Sequence, residues 1–502
     1  MSGVSAILAI DQGTTGTTAM VVARDGEILG RAYSEFTQYF PRPGWVEHDA
    51  LEIWDVTTRV AREALEAAGA RGDVCGLGIT NQRETVVLWD REDLEPVHPA
   101  IVWQDRRTAA ICRELKAAGK EKEVRDRSGL LLDPYFSGTK LTWLFRNFPD
   151  LRKRAEAGEL AMGTVDSWLL ARLTGGAVHA TEFTNASRTL LFNLLQQRWD
   201  PELLSLLEVP EAVLPEVRPS SGILGTSRGE ALGRELPVAG MAGDQQAALF
   251  GQGCWSPGLA KNTYGTGAFL LLNTGAEAVP SSAGLLTTMA CDERGGPAYA
   301  LEGSIFIAGA AIQWLRDGLE ILERAEESEA LARSLDGNDG VYFVPAFVGL
   351  GAPHWDPEAR GTVVGLTRGS SRAHMVRAAL EAMAYSTRDV LEAMEADSGI
   401  PARELRVDGG AAMNDWLMAF QADTLGIPVR RPGLVETTAL GAAGLAGLGV
   451  GVWNTAEEFL AALGETRVFE PSLDEGDRDA RLRGWERAVH AARAWSAWEG
   501  EP

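Results

Sequence analysis

One arrangement of residues occurs twice in the 502-residue chain and restricts its fold more than any other feature. Residues 5–11 run Ser-Ala-Ile-Leu-Ala-Ile-Asp, a short apolar strand that ends in an acid. The Gly/Thr-rich loop Gln12-Gly13-Thr14-Thr15-Gly16-Thr17-Thr18 follows, and then a second strand, Ala19–Ala23. An Asp25-Gly26 turn, a hairpin signal between apolar runs, extends this into a meander. Near residue 260 the same order returns: Leu259–Tyr264, the turn Gly265-Thr266-Gly267, and Ala268–Leu272. A helical pattern follows each, from Ala50 to Ala68 and from Ala308 to Arg324. Strands alternating with helices predict an α/β class. The recurrence predicts two related halves, 1–252 and 253–502, divided near Gly251-Gln252-Gly253. No Pro/Ser-rich linker marks the break, so the halves are expected to pack closely.

Composition narrows the partners. Lys plus Arg total 47 against 70 Asp plus Glu, a formal net charge of −23. That balance lacks the basic footprint of a nucleic-acid binder and disfavours an anionic membrane surface. A local site for a small anion can still be built from Arg and backbone amides. The four cysteines form no CxxC pair, so a zinc or redox motif is absent. The N-terminus has no basic n-region of a signal peptide. The longest weakly apolar stretch, Ala439 to Trp453, is Gly-rich and shorter than the ~20 residues of a membrane span. It reads as a tightly packed buried helix, and the chain is expected to be cytoplasmic.

Three turns suit phosphate or nucleotide chemistry. Asp11-Gln12-Gly13-Thr14-Thr15 places an acid beside glycines and hydroxyls, where a hydrated metal ion and phosphate oxygens can sit together. Gly265-Thr266-Gly267 repeats the pattern, and Asp408-Gly409-Gly410 ends a strand that passes into a helix. Each alone is compatible with an ordinary turn; their order along two halves gives them weight. The Walker pattern GxxxxGK[ST], the HRD and DFG motifs of protein kinases, and a GxGxxG after a strand are all missing. Two polar clusters remain. Arg83 and Glu84, within Asn81-Gln82-Arg83-Glu84-Thr85, can form a surface ion pair or bind polyol hydroxyls from two sides. Asp244, in Gly243-Asp244-Gln245-Gln246, can cap the helix that begins there or act as a base.

Taken with Gly44-Trp45-Val46-Glu47, Val102-Trp103-Gln104, Asp133 to Lys140, Asn262 to Gly267 and Gly349 to Pro353, these segments resemble the glycerol kinases of the FGGY carbohydrate kinase family. The resemblance covers nearly the whole chain. It implies two ribonuclease H-like domains of the actin/hexokinase/Hsp70 ATPase superfamily with a nucleotide cleft between them. It also implies the reaction ATP + glycerol → sn-glycerol 3-phosphate + ADP, with magnesium. Carried over residue by residue, the glycerol pocket comprises Arg83, Glu84, Trp103, Tyr135, Asp244, Gln245 and Phe269. Asp244 is the implied general base and Asp11 the implied magnesium ligand, acting through water. Thr14, Thr15, Gly16 and Thr266 fall to the phosphates, and Gly309, Gln313, Gly410 and Asn414 to the adenine nucleotide. The resemblance further implies a homo-oligomer, because relatives form dimers and tetramers.

The phosphate loop departs from the family pattern. Gly16, Thr17 and Thr18 stand where Ser, Ser and Arg are common, so a phosphate-facing Arg is missing at 18. Residues 226–237 match the fructose 1,6-bisphosphate loop of some relatives poorly, and no histidine lies there for phosphorylation. Two other readings fit parts of the pattern. A related kinase for a pentulose, hexulose or gluconate would share Asp244 but not the segments around Arg83, Trp103 and Tyr135. An actin- or chaperone-like ATPase would need a polymer- or peptide-binding region beyond the two halves.

Overall fold

The computed structural model describes residues 4–497, so the outer ends of the two expected halves, 1–3 and 498–502, lie outside the described residues. Two sheets carry the molecule. The first has six strands in the order Ser221–Thr226, Pro237–Gly243, Gly72–Asn81, Val4–Gln12, Gly16–Ala23, Ile28–Glu35. The second has seven: Leu286–Cys291, Pro297–Ile305, Ala268–Gly275, Leu259–Tyr264, Glu404–Gly409, Val429–Pro432, Thr466–Phe469.

The repeated hairpin occupies the same place in both. Val4–Gln12 pairs antiparallel with Gly16–Ala23 on one side and parallel with Gly72–Asn81 on the other. Leu259–Tyr264 likewise pairs antiparallel with Ala268–Gly275 and parallel with Glu404–Gly409. A further parallel strand lies beyond each, Pro237–Gly243 or Val429–Pro432. The central strands read as near-continuous apolar runs because both faces are covered.

Helix Ala50–Ala68 begins and ends where the sequence places it. Asp49 accepts from the amides of Leu51 and Glu52, and Gly69 ends the helix at φ 55°. It packs against the three strands of the opening meander. The second expected helix is shorter than its pattern: it runs Gly309–Asp317, not Ala308 to Arg324. It stops at Gly318, and Glu320 at φ 55° turns the chain away.

The apolar stretch near 440 forms helix Thr437–Val450, which lies against the first sheet although it follows the second in sequence. It also packs on helix Asp244–Gly251, which touches strands of both sheets. Small residues make this layer thin. A Cβ on Gly78 would fall 2.1 Å from the Ala442 carbonyl oxygen, and one on Gly441 would fall 1.8 Å from that of Ala247. Trp453 ties the end of this layer to the first sheet, donating Nε1–H to the Arg24 carbonyl at 2.9 Å. Between strands Gly72–Asn81 and Pro237–Gly243 the chain makes a mostly helical excursion with its own core around Leu141, Leu144, Phe145 and Leu190. Among the described residues, no helix is long and apolar enough to cross a membrane.

Because two backbones meet at Gly441, Gly441→Val should separate the two packed helices. The expected loss is about 1–3 kcal/mol, seen as a lower melting temperature. Wild-type melting would contradict the close contact.

Candidate active site

Three parallel strands of the first sheet end side by side: Gln12 is in register with Asn81, and Asn81 with Gly243. Ligands of open α/β sheets bind beyond the carboxyl ends of such strands. Here those ends deliver Asp11, the pair Arg83 and Glu84, and Asp244. In the second sheet Tyr264 is in register with Gly409, which brings the turn at 265–267 beside Gly410.

The first turn is closed by the Gly13 amide donating to the Gly16 carbonyl at 2.9 Å. Gln82 secures it, donating its side-chain amide to Gln12 Oε1 and to the Gly13 carbonyl, both at 3.1 Å. Gly16 is buried, with Tyr33 and Ser34 filling the space where a side chain would go. Thr15 is exposed. Trp103 Nε1–H donates to Thr14 Oγ1 at 2.9 Å, which joins the implied acceptor pocket to the implied phosphate loop.

Arg83 and Glu84 are buried rather than at the surface, and the contact between them is long, 3.9 Å. Their strong partners lie elsewhere. Glu302, on Pro297–Ile305 of the second sheet, grips Arg83 with both oxygens, at 2.6 Å to Nη1 and 3.1 Å to Nη2. Arg188 donates Nε–H to Glu84 Oε1 at 2.6 Å and Nη2–H to Glu302 Oε1 at 3.0 Å. Burial alone would raise the Glu302 carboxyl, but Arg188 and Arg83 overcome it and hold the group at about 2. Glu84 sits at φ 61°, in the left-handed region that L-residues seldom adopt. Its carbonyl is fixed by Ser137 Oγ–H at 3.0 Å.

Asp244 opens the helix Asp244–Gly251, whose N-cap, Gly243, has no side chain to offer. Its Oδ1 accepts from the Gln245 amide at 2.7 Å and is ion-paired with Arg83 Nε at 3.1 Å. The cap position thus falls to Gly243, and Asp244 is the first helical residue rather than the cap. The Gly243 amide donates to Thr184 Oγ1 at 2.9 Å, and Thr184 is held by Glu182 at 2.7 Å. Asn81 and Asn185 exchange side-chain hydrogen bonds, each 3.0 Å, so one buried polar support fixes both loops.

Asp11 is half-buried, and its carboxylate takes no hydrogen bond or ion pair from any described side chain. Burial first, and then the charge of Asp244, push it up to about 7. Among the described residues no three His, Cys, Asp or Glu side chains form a metal-binding group.

The resemblance gives the pocket Trp103 and Phe269 as its apolar walls; among the described residues the ring that Trp103 meets is Tyr135. Tyr135 meets Trp103 edge to face, with ring centroids 5.5 Å apart. Lys140 holds the loop behind it, donating to the carbonyls of Tyr135, Pro134 and Phe136 at 2.5, 3.0 and 3.2 Å. Phe269 packs against the small apolar cluster that includes Leu249, which lies one helical turn beyond Gln245 and on the same face.

The remaining implied residues gather at the second sheet. The amides of Ala308 and Ala310 donate to the Thr266 carbonyl, and that of Gly309 to the Gly265 carbonyl at 3.0 Å. Gly265, Thr266, Gln313 and Gly410 are exposed, and space lies open at Gly410 where a side chain would be. Asn414 has a structural duty as well. Its Oδ1 caps helix Asp415–Leu425 through the Leu417 amide at 2.9 Å. Sequence reasoning missed Glu302, Arg188 and Lys261. Lys261 is buried and donates to Gln245 Oε1 and, at 2.8 Å, to Thr263 Oγ1. Burial lowers it to about 8 against the opposing pull of Asp408 and Asp244. The available signal was a lone charge inside an apolar strand, as in Leu259-Ala260-Lys261 and Ala300-Leu301-Glu302.

Comparisons with known proteins bear on the family and the fold. The model described as "FGGY family of carbohydrate kinases, N-terminal domain" matches residues 6–251, and its C-terminal counterpart matches 260–450. A glycerol kinase from Deinococcus radiodurans is 56% identical over 490 residues, 97% of this chain and 98% of that protein. Glycerol kinase 2 of Thermotoga maritima is 54% identical over 490 residues, with 97% and 99% covered. The crystal structure of Plasmodium falciparum glycerol kinase with ADP aligns at TM-score 0.93 and 34% identity, covering 98% of this chain and 99% of that one. A gluconate kinase from Lactobacillus acidophilus shares the fold at TM-score 0.87 and 20% identity, with 99% of each chain covered.

Proposed function

Because the chain belongs to the FGGY family of carbohydrate kinases, we propose that it transfers the γ-phosphoryl group of ATP to a terminal hydroxyl of glycerol, giving sn-glycerol 3-phosphate and ADP. The observation that carries this reading is the convergence of Arg83, Glu84 and Asp244 beneath the Trp103–Tyr135 wall. Three polar groups beside two aromatic faces suit a three-carbon polyol. A site that bonds each hydroxyl rejects analogues lacking one, because its buried groups are left unpaired.

Asp244 acts as the general base. Its Oδ1 is occupied by the Gln245 amide and Arg83, whereas Oδ2 has, among the described residues, only a 3.4 Å contact with Gln245 Nε2. The hydroxyl proton passes to Oδ2 as the hydroxyl oxygen bonds to the γ-phosphorus and the bond from that phosphorus to the β-phosphate oxygen breaks. Such assistance is typically worth on the order of 10²–10⁴ in rate. The first turn, with Thr14 and Thr15, faces the transferring phosphate. The exposed groups at Thr266, Gln313 and Gly410, with half-buried Gly309, face the nucleotide, and Asn414 stands at the edge of that surface. Asp11 suits magnesium, being a hard oxygen donor without a hydrogen-bond or ion-pair partner among the described residues and beside a second carboxylate. Magnesium held there supplies charge neutralisation at the phosphate oxygens.

Three outcomes are expected. ADP release should be strongly stimulated by glycerol over dihydroxyacetone, xylulose, gluconate or no acceptor. Preference for a sugar would overturn the glycerol assignment, and indifference to acceptor would indicate an ATPase. Asp244→Asn should abolish turnover while ATP binding persists; wild-type-like turnover would remove the base from this position. The third concerns pH. Asp11 is raised to about 7 in the free protein, so it becomes neutral as pH falls through that value and loses its hold on a cation. The kcat/KM for magnesium-ATP should therefore decline below about pH 7. Asp11→Asn should lower the plateau and remove that acid limb, whereas a retained limb would assign it to another group.

A further inference from the structure

Arg188 and Glu302 are among the most deeply buried charged residues, and the chemistry just described uses neither. They come from opposite halves of the molecule. Glu302 chelates Arg83 and also receives Arg188, while Arg188 reaches on to Glu84. Arg188 Nη1 has no hydrogen-bond partner among the described residues, and its guanidinium carbon lies 5.6 Å from the Tyr135 ring centroid and 5.3 Å from that of Phe136. Such contacts between a cation and ring faces are attractive. One guanidinium therefore touches Glu84, Glu302 and the wall of the acceptor pocket.

The hydrogen-bonding capacity of Arg83 is nearly exhausted by this arrangement. A guanidinium has five N–H donors. Nε–H faces Asp244, Nη1 serves Glu302 Oε2 and Gln246 Oε1, and Nη2 gives one hydrogen to Glu302 Oε1. One Nη2 hydrogen remains. On Glu84, Oε1 is taken by Arg188, and Oε2 accepts nothing from the described residues. What Arg83 and Glu84 leave free between them is one donor and one acceptor, the pair needed to read a hydroxyl that both gives and receives.

We infer that Glu302 and Arg188 are positioning residues for the acceptor: they fix Arg83 and Glu84 so that one donor and one carboxylate oxygen face its hydroxyls, which makes acceptor recognition a joint property of both halves. The inference rests on the glycerol reading above. Without Glu302, Arg83 keeps Asp244 and Gln246 as partners but loses its two-point anchor. Without the Arg188 fork, Glu84 is free to turn toward Arg83.

Two variants of the full chain test this. Glu302→Gln keeps the shape but puts an amide N–H where one guanidinium needs an acceptor. Arg188→Lys keeps the charge but cannot span Glu84 and Glu302 together. Each should raise the glycerol KM about tenfold or more, the scale of one charge-assisted hydrogen bond, while the KM for magnesium-ATP stays within about threefold. A purely structural role would instead lower kcat through lost active enzyme and leave the glycerol KM unchanged, and that result overturns the inference. Should Glu302→Gln not fold, Arg188→Lys decides the matter. The wild-type acceptor preference is measured first. If the wild type prefers another polyol and the variants raise the KM for that one, the glycerol reading fails and the positioning role stands.

Discussion

A guanidinium and a carboxylate, paired in the interior where the two sheets meet, set the geometry on which the site depends. Arg83 extends from the end of a first-sheet strand, and Glu302 lies within a strand of the second. Both are almost fully buried, so their separation cannot relax into water. Replacing such a pair with apolar groups can be harmless, but removing one partner leaves an uncompensated charge that typically costs about 3–5 kcal/mol. The pair therefore constrains how the halves meet. Asp244 and Gln246, both bonded to Arg83, and Glu84, bonded through Arg188, inherit that constraint.

The thin helical layer between the sheets serves the same end. Helix Asp244–Gly251 bears Asp244 at its start and touches both sheets, and helix Thr437–Val450 packs on it through backbone-to-backbone contact at Gly441. A bulkier layer would move the carboxyl ends of the first sheet away from Glu302. Chemistry that relies on positioning and charge stabilisation tolerates little such displacement.

Much of this was legible in the sequence. The recurring hairpin revealed two related sheets because the strand, the Gly/Thr turn and the next strand are contiguous in the chain. Helix Ala50–Ala68 was readable at both ends, Asp49 supplying a cap and Gly69 a stop. The expected helix from Ala308 ran too far because its apolar period continues past Gly318, where the backbone does not. The stretch around Ala439 was recognisable as a buried helix, but nothing local says that it covers the first sheet. That choice is made by glycines at 78, 240 and 449, far apart in the chain. The site divides in the same way. Arg83, Glu84 and Asp244 stand in polar runs that follow apolar strands, so local pattern singles them out. Their partners Glu302 and Arg188 lie 219 and 104 residues away from Arg83 and Glu84 respectively, and no local pattern joins them.

The account's central claim is that the glycerol hydroxyls lie among Arg83, Glu84 and Asp244, beneath Trp103 and Tyr135. A crystal structure of the protein with glycerol bound tests it most directly. The account predicts one hydroxyl between Arg83 Nη2 and Glu84 Oε2 and a terminal hydroxyl within hydrogen-bond reach of Asp244 Oδ2. Glycerol bound elsewhere in the cleft, with the Arg83–Glu302 pair undisturbed and Asp244 facing no hydroxyl, would contradict it.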